Sequence, residues 1–284
     1  MTERHRDETT AAPGGGLRAG VAAAAFFRMG YQAAVSYPMS FAVSQITTVV
    51  PVIVYFFISH LVRTDLGQVG GDYFTFIVIG VACQRLLSGG LAGLGDEMES
   101  AIREGRLETL LIQPVDWRLL PLGLAEWPIA WGLINVVALV AISTALGAHY
   151  QVQAVPGFLL IAVLGIVATL GVGILAVSIK ILAKRTDPLL TIYGLAAAIL
   201  SGAFYPLGQL PRAVRHLSWA VPDTYVISAA RHLLMPEGGL TGGPSTWTAV
   251  AALLLFDVVA IPVALWVFAR TLEYGRTAGV LAGY

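Results

Sequence analysis

The chain has 284 residues, 57% of them hydrophobic and 12% charged, with a formal net charge of zero and a mean hydropathy of +0.76. A soluble domain carries about a quarter charged residues, so this is the composition of a polytopic membrane protein, and the zero balance excludes the broad basic field that nucleic acid demands. The single cysteine, Cys83, lies in an apolar run, and the five histidines (His5, His60, His149, His216, His232) are scattered; neither an intrachain disulfide nor a metal cluster is expected.

Residues 1–16 are polar and glycine-rich, the composition of a disordered tail. Leu17 to Ser36 reads as a helix lying on the cytoplasmic surface, ended by Tyr37-Pro38, because the residue before a proline is pushed out of helical geometry. The run Val21–Phe27 is short and bounded by arginines, unlike a cleaved signal peptide. A helix needs about 20 residues to cross a hydrocarbon core of about 30 Å. Six runs are long enough: Met39–Leu61, Tyr73–Leu94, Leu119–Leu146, Phe158–Leu182, Leu189–Leu207 and Trp247–Ala269. The fold class is thus an all-α membrane protein of six spans, with residues 17–284 as one transmembrane domain. With the N-terminus inside, twelve lysines and arginines fall on inner segments and four on outer loops. The positive-inside rule therefore puts both termini in the cytoplasm.

Asp96 to Arg118 (DEMESAIREGRLETLLIQPVDWR) is the longest charged interruption between apolar runs and faces the cytoplasm in this orientation. Asp96 to Glu104 suits a helix beginning at an acidic cap, Gly105 permits a break, and Arg106 to Ile112 suits another turn or two, ended by Pro114. Leu107, Leu110 and Leu111 form an apolar side among charges. Such a segment either docks into a groove on a soluble partner or simply connects two spans at the interface. On the outer side, Leu210, Val214, Leu217 and Val221 share one helix face, Pro222 stops it, and Asp223 is placed to cap a second short helix, Thr224 to Leu234. These two helices either dip into the outer leaflet as a lid or lie among the headgroups.

Gly89-x-x-x-Gly93 and the series Gly194, Ala198, Gly202 are close-packing faces for helices in lipid, with packing inside the chain preferred over a dimer contact. Three ionisable residues fall inside spans: Arg85, Glu126 and Asp257. Each is costly in hydrocarbon unless paired or wetted. Either acid can reach the level of Arg85, so the three read as a buried ion pair locking helices or as the lining of a translocation path. The chain has no Gly-x-x-x-x-Gly-Lys-Ser/Thr loop, no Gly-x-Ser-x-Gly elbow and no His-Glu-x-x-His site. Any energy must come from another chain.

The segment Glu104-Gly105-Arg106-Leu107-Glu108-Thr109-Leu110-Leu111-Ile112-Gln113-Pro114-Val115, after the second span, resembles the permease subunit of ABC-2 type ABC transporters. So do Ser201-Gly202-Ala203-Phe204-Tyr205-Pro206-Leu207-Gly208-Gln209-Leu210-Pro211, then Pro222-Asp223-Thr224-Tyr225 and Ala230-Arg231, before the sixth span, and Tyr274-Gly275-Arg276 in the tail. The resemblance implies an exporter of two permease subunits, the same or homologous, and two ATPase subunits, with ATP and magnesium on the ATPases and no cofactor on this chain. Residues 96–113 would match the coupling helix region, with Ile102, Arg103, Glu104, Gly105, Arg106, Leu107, Glu108, Leu110 and Leu111 meeting the ATPase, and residues 17–36 would match the surface connecting helix. Arg85 and Glu126 depart from the common pattern. The substrate expected is drug-like, an antibiotic or lipid-linked, and the location a bacterial cell membrane. An ion-driven secondary transporter would show an internal repeat, and a membrane-embedded enzyme would gather catalytic groups at one depth; the sequence shows neither.

Overall fold

A computed structural model of the chain describes residues 24–25, 27–32, 36, 38–61, 73–104, 120–183, 188–235 and 243–277. All regular structure among them is helical. Helix α1 (Pro38–Leu61) opens on a proline, whose fixed φ and missing N–H suit a first turn. Helix α2 (Tyr73–Ser88) passes through a five-residue π-helical turn (Gly89–Gly93) into α3 (Leu94–Arg103) without a break. These sixteen, five and ten residues make one rod of about 46 Å. Next come α4 (Leu120–Ala145), a 3-10 turn (Val152–Ala154) and α5 (Val155–Ala183). Helix α6 (Pro188–Leu200) leads through a second 3-10 turn (Leu207–Gln209) to α7 (Arg212–Ser218), α8 (Pro222–Leu234) and α9 (Thr246–Thr277).

Four stretches are long and apolar enough to cross a membrane: Tyr73–Ala101, Leu120–Ala145, Val152–Ile181 and Thr246–Tyr274. Gln45–His60 and Leu190–Leu200 are shorter apolar helices. Three local expectations differ. The second run does not end at Leu94 with a fresh cap at Asp96: the glycine-rich GGLAG takes the wider π geometry and the helix carries on. The fifth run is helical only to Leu200, because Gly202 turns the chain at φ +70°. Asp223 stands inside the first turn of α8, after Val221 and Pro222, and is not the N-cap residue. Helix α4 ends in another glycine turn: Gly147 sits at φ +100°, and the Ala148 N–H reaches back to the Ser143 carbonyl at 2.9 Å.

Two cores hold the bundle. One gathers Phe76, Ile79, Cys83, Leu87, Leu139, Ile161, Val226, Ile227 and Leu253 around the α8 end. The other gathers Leu94, Met98, Leu124, Ile174, Ile181 and Phe268 around α3. In lipid, close contact of backbones and side chains replaces the hydrophobic drive between helices. Glycines permit it at the π turn. A Cβ on Gly93 would overlap the Pro128 ring of α4, one on Gly89 would press the Pro128 carbonyl oxygen, and one on Gly173 of α5 would press the Gly90 carbonyl. The Gly89–Gly93 face therefore packs within the chain. Gly194 meets nothing within 4 Å. Gly93→Leu is expected to lower the melting temperature of purified protein through an overpacking cost of about 1–3 kcal/mol. Gly194→Leu is expected to leave it within about 0.5 kcal/mol.

Candidate functional site

Helix α2 is the most enclosed of the long helices, and what it leaves open is polar. Twelve of its sixteen residues are buried; Tyr73, Gln84, Arg85 and Ser88 are not. Gln84, Arg85 and Ser88 fall on one face, since helical neighbours recur at three and four residues. Opposite stands α1. Its Pro51 has no N–H to give the Thr47 carbonyl one turn back. The Arg85 guanidinium supplies one, donating to that oxygen at 3.2 Å. At the same level of α1, Asn135 of α4 accepts from Gln45 and Thr48, each at 3.3 Å, and donates to the Trp131 carbonyl at 2.9 Å. The α1–α2–α4 junction thus carries a strip of amide, hydroxyl and guanidinium groups, buried at Thr48 and Asn135 and open at Thr47, Arg85 and Ser88.

Among the described residues no ion pair joins Arg85 to Glu126 or Asp257. Glu126 is half-buried near the start of α4. Beside it Trp127 stacks edge-on with Phe27 at 5.6 Å and Tyr31 at 6.0 Å, and Gly30 lies against the same indole. Asp257 sits in α9, and its Oδ1 is buried without a hydrogen-bond partner. The three intramembrane charges do not form one cluster.

At the far end of the rod, Glu99 receives the Lys180 ammonium of α5 at 2.6 Å and pairs with Arg103 one turn on at 3.4 Å. The Lys180 side chain is 11% exposed and that of Glu99 38% exposed, so this pair ties α3 to α5 at a half-wet boundary. Met98 and Ala101 are fully buried on the opposite side of α3. Arg103 and Glu104 are exposed at the end of the rod, and the Glu104 N–H bonds the Ser100 carbonyl at 3.0 Å. Ile102 lies in the same last turn. Gly105, Arg106, Leu107, Glu108, Leu110 and Leu111 lie outside the described residues, as do residues 1–16.

The opposite end carries a feature that the residue pattern alone did not single out. Arg231 of α8 is fully enclosed and 3% exposed. Its Nε donates to the Phe76 carbonyl at 3.2 Å, Nη1 to Gly202 at 2.8 Å and Nη2 to Ala203 at 2.6 Å. The guanidinium carbon lies 3.4 Å from the Phe76 ring centroid, a close cation–π contact. Gly80 makes room, since a Cβ there would collide with the Ala203 carbonyl and the guanidinium. Burial pushes the guanidinium down to about 9, which leaves it charged at neutral pH. Nearby, the Tyr193 hydroxyl donates to Asp223 at 2.7 Å, and Thr224 donates to the Ser218 carbonyl at 2.7 Å. Burial raises the Asp223 carboxyl above its ordinary range, with the Tyr193 bond opposing. The turn after α6, the start of α2 and all of α8 are thereby fastened together.

The architecture is a helical membrane bundle with a partly open polar strip between α1, α2 and α4, a continuous α2–π–α3 rod and a clamp around Arg231. No curated protein matches the chain. The family described as ABC-2 family transporter protein matches residues 48–279, which takes in every helix from the middle of α1 to the end of α9. The chain belongs to the ABC-2 family of transporters, as a multi-pass membrane component.

Proposed function

We propose that the chain is the permease subunit of an ATP-driven exporter, working with a separate ABC ATPase and with a second permease, the same or homologous. In this reading it has six spans, both termini are cytoplasmic and the membrane is that of a bacterial cell. The α2–π–α3 rod is the observation that carries the reading. It carries Asp96–Arg103, the first part of the segment 96–113, directly from the interior of the bundle, so that a push there is felt along one helix. Glu99 and Lys180 pass part of the push to α5. Ile102, Arg103, Glu104, Gly105, Arg106, Leu107, Glu108, Leu110 and Leu111 are the proposed ATPase contacts, with the leucines as anchors and the charges as rim. ATP and magnesium act on the partner; closure of the ATPases rocks the permeases against each other.

Arg85, with Gln84 and Ser88 beside it, is the proposed lining of the path, because a polar face is not stable against acyl chains and needs water or another polar surface. Glu126 and Asp257 are proposed as further polar points on the path or as helix locks. A drug-like, antibiotic or lipid-linked molecule is the proposed substrate. The reading is tested by co-purifying the chain with a candidate ATPase and measuring ATP hydrolysis against a compound panel; a pair that assembles and is stimulated supports it, and no assembly with any ABC ATPase overturns it. Arg85→Leu separates path from lock: its membrane level is expected to stay within twofold of wild type while transport falls at least tenfold. Loss of the protein itself would assign Arg85 to structure instead.

A further inference from the structure

Helices α4 and α5 part on the side of the bundle that holds α8, and a crevice of about 390 Å³ lies between them. Its floor is α2, through Val78, Ile79, Ala82 and Cys83. Its sides are α4, through Val136, Val137 and Ala141, and α5, through Val155, Phe158 and Leu159. The wall is apolar throughout. Tyr150 closes one end, with its hydroxyl turned to Ser143 at 2.8 Å. A water in such a place would lack the two to four polar partners it needs. The mouth is rimmed by Leu133, Val137, Val155 and Leu159, all exposed on the outward faces of helices long and apolar enough to cross a membrane. From Leu133 to Ala141 the crevice runs along α4 for about 12 Å, and beyond lies the loop carrying His149, Tyr150 and Gln151.

We infer that this crevice is a binding site for one acyl chain of a membrane phospholipid, which packs between α4 and α5 as a missing apolar element. The shape is elongated, the wall offers no hydrogen bond to a polar solute, and the mouth opens to the medium in which acyl chains are the abundant species. The acyl chain lies over Val78 to Cys83 and leaves the crevice through the mouth between Leu133, Val137, Val155 and Leu159. This site is separate from the polar strip at Arg85 and does not depend on which solute is transported. A bound lipid stabilises the folded protein in proportion to its occupancy.

The test uses the detergent-purified full chain, stripped of lipid and titrated with dioleoylphosphatidylglycerol, read by native mass spectrometry and by melting temperature. Ala141→Phe and Val137→Phe each place a ring in the mouth; Val258→Phe places one on the outward surface of α9, away from the crevice. Wild type and Val258→Phe are expected to retain one phospholipid per chain and to melt higher as lipid is added. Retention is expected to fall at least tenfold in Ala141→Phe and Val137→Phe, and their melting temperatures are expected to stop responding. Equal retention in all four proteins, or a wild type whose melting ignores the phospholipid, overturns the assignment.

Discussion

Arg231→Leu is expected to remove the folded protein from the membrane. The substitution keeps an apolar side chain in a buried place but takes away three donors at once: the Phe76 carbonyl keeps its helical donor, while those of Gly202 and Ala203 are left facing an apolar group. A hydrogen bond from a charged group contributes about 1.5–3 kcal/mol, and a buried acceptor left without a donor costs a similar amount. Even with partial relaxation the loss reaches about 5 kcal/mol, against total stabilities of about 5–15 kcal/mol. The cation–π contact with Phe76 is lost as well. Arg231→Lys is expected to retain part of the stability, since an ammonium keeps the charge but has no planar fork to span three carbonyls. Gly80→Ala is expected to resemble Arg231→Leu, because the new methyl group meets a backbone oxygen that has no rotamer to escape into. Membrane protein level and melting in detergent check all three. An Arg231→Leu protein that melts like wild type would show that the clamp contributes little.

The second large effect concerns the other end of the rod. In the proposed function, Leu107, Leu110 and Leu111 enter a groove on the ATPase. An aspartate at Leu110 would have to be desolvated there without a partner, at several kcal/mol. One or two such kilocalories change an association constant tenfold. Leu110→Asp is therefore expected to reduce ATPase association by a hundredfold or more and to abolish substrate-stimulated hydrolysis, while the permease accumulates and melts normally. Glu108→Gln, a rim change, is expected to shift association less than tenfold.

Different levels of this organisation were legible in the sequence to different degrees. Apolar run length located α1, α4, α5 and α9, and Pro222 marked the boundary between α7 and α8, although α7 itself already ends at Ser218. The continuity of α2 into α3 was hidden, because Asp96 and Glu97 look like the start of a new helix and GGLAG looks like a break. Only the glycines' tolerance of a π turn reconciles them with one rod. Arg85 invited a carboxylate partner by charge alone. Its hydrogen bond goes instead to Thr47, and the signal was Pro51, which denies that carbonyl its usual donor. Gln84 and Ser88 could have been found by placing them on the Arg85 face. Ala230-Arg231 entered only as part of the family resemblance; the burial of Arg231 was hidden, since its partner Phe76 lies 155 residues away and no local pattern links them.

The most direct test of the coupling account is a cross-link from the segment itself. In a Cys83→Ala background, which removes the single native cysteine, a cysteine replaces Leu110 and a short cysteine-to-lysine cross-linker is added to membranes that also contain the ATPase. The same substitution at Leu217, in α7 at the other end of the bundle, serves as the control. The account predicts a one-to-one adduct with the ATPase from position 110, changing in yield when ATP is added, and none from position 217. An ATPase that associates and hydrolyses normally but never cross-links to position 110 would contradict it.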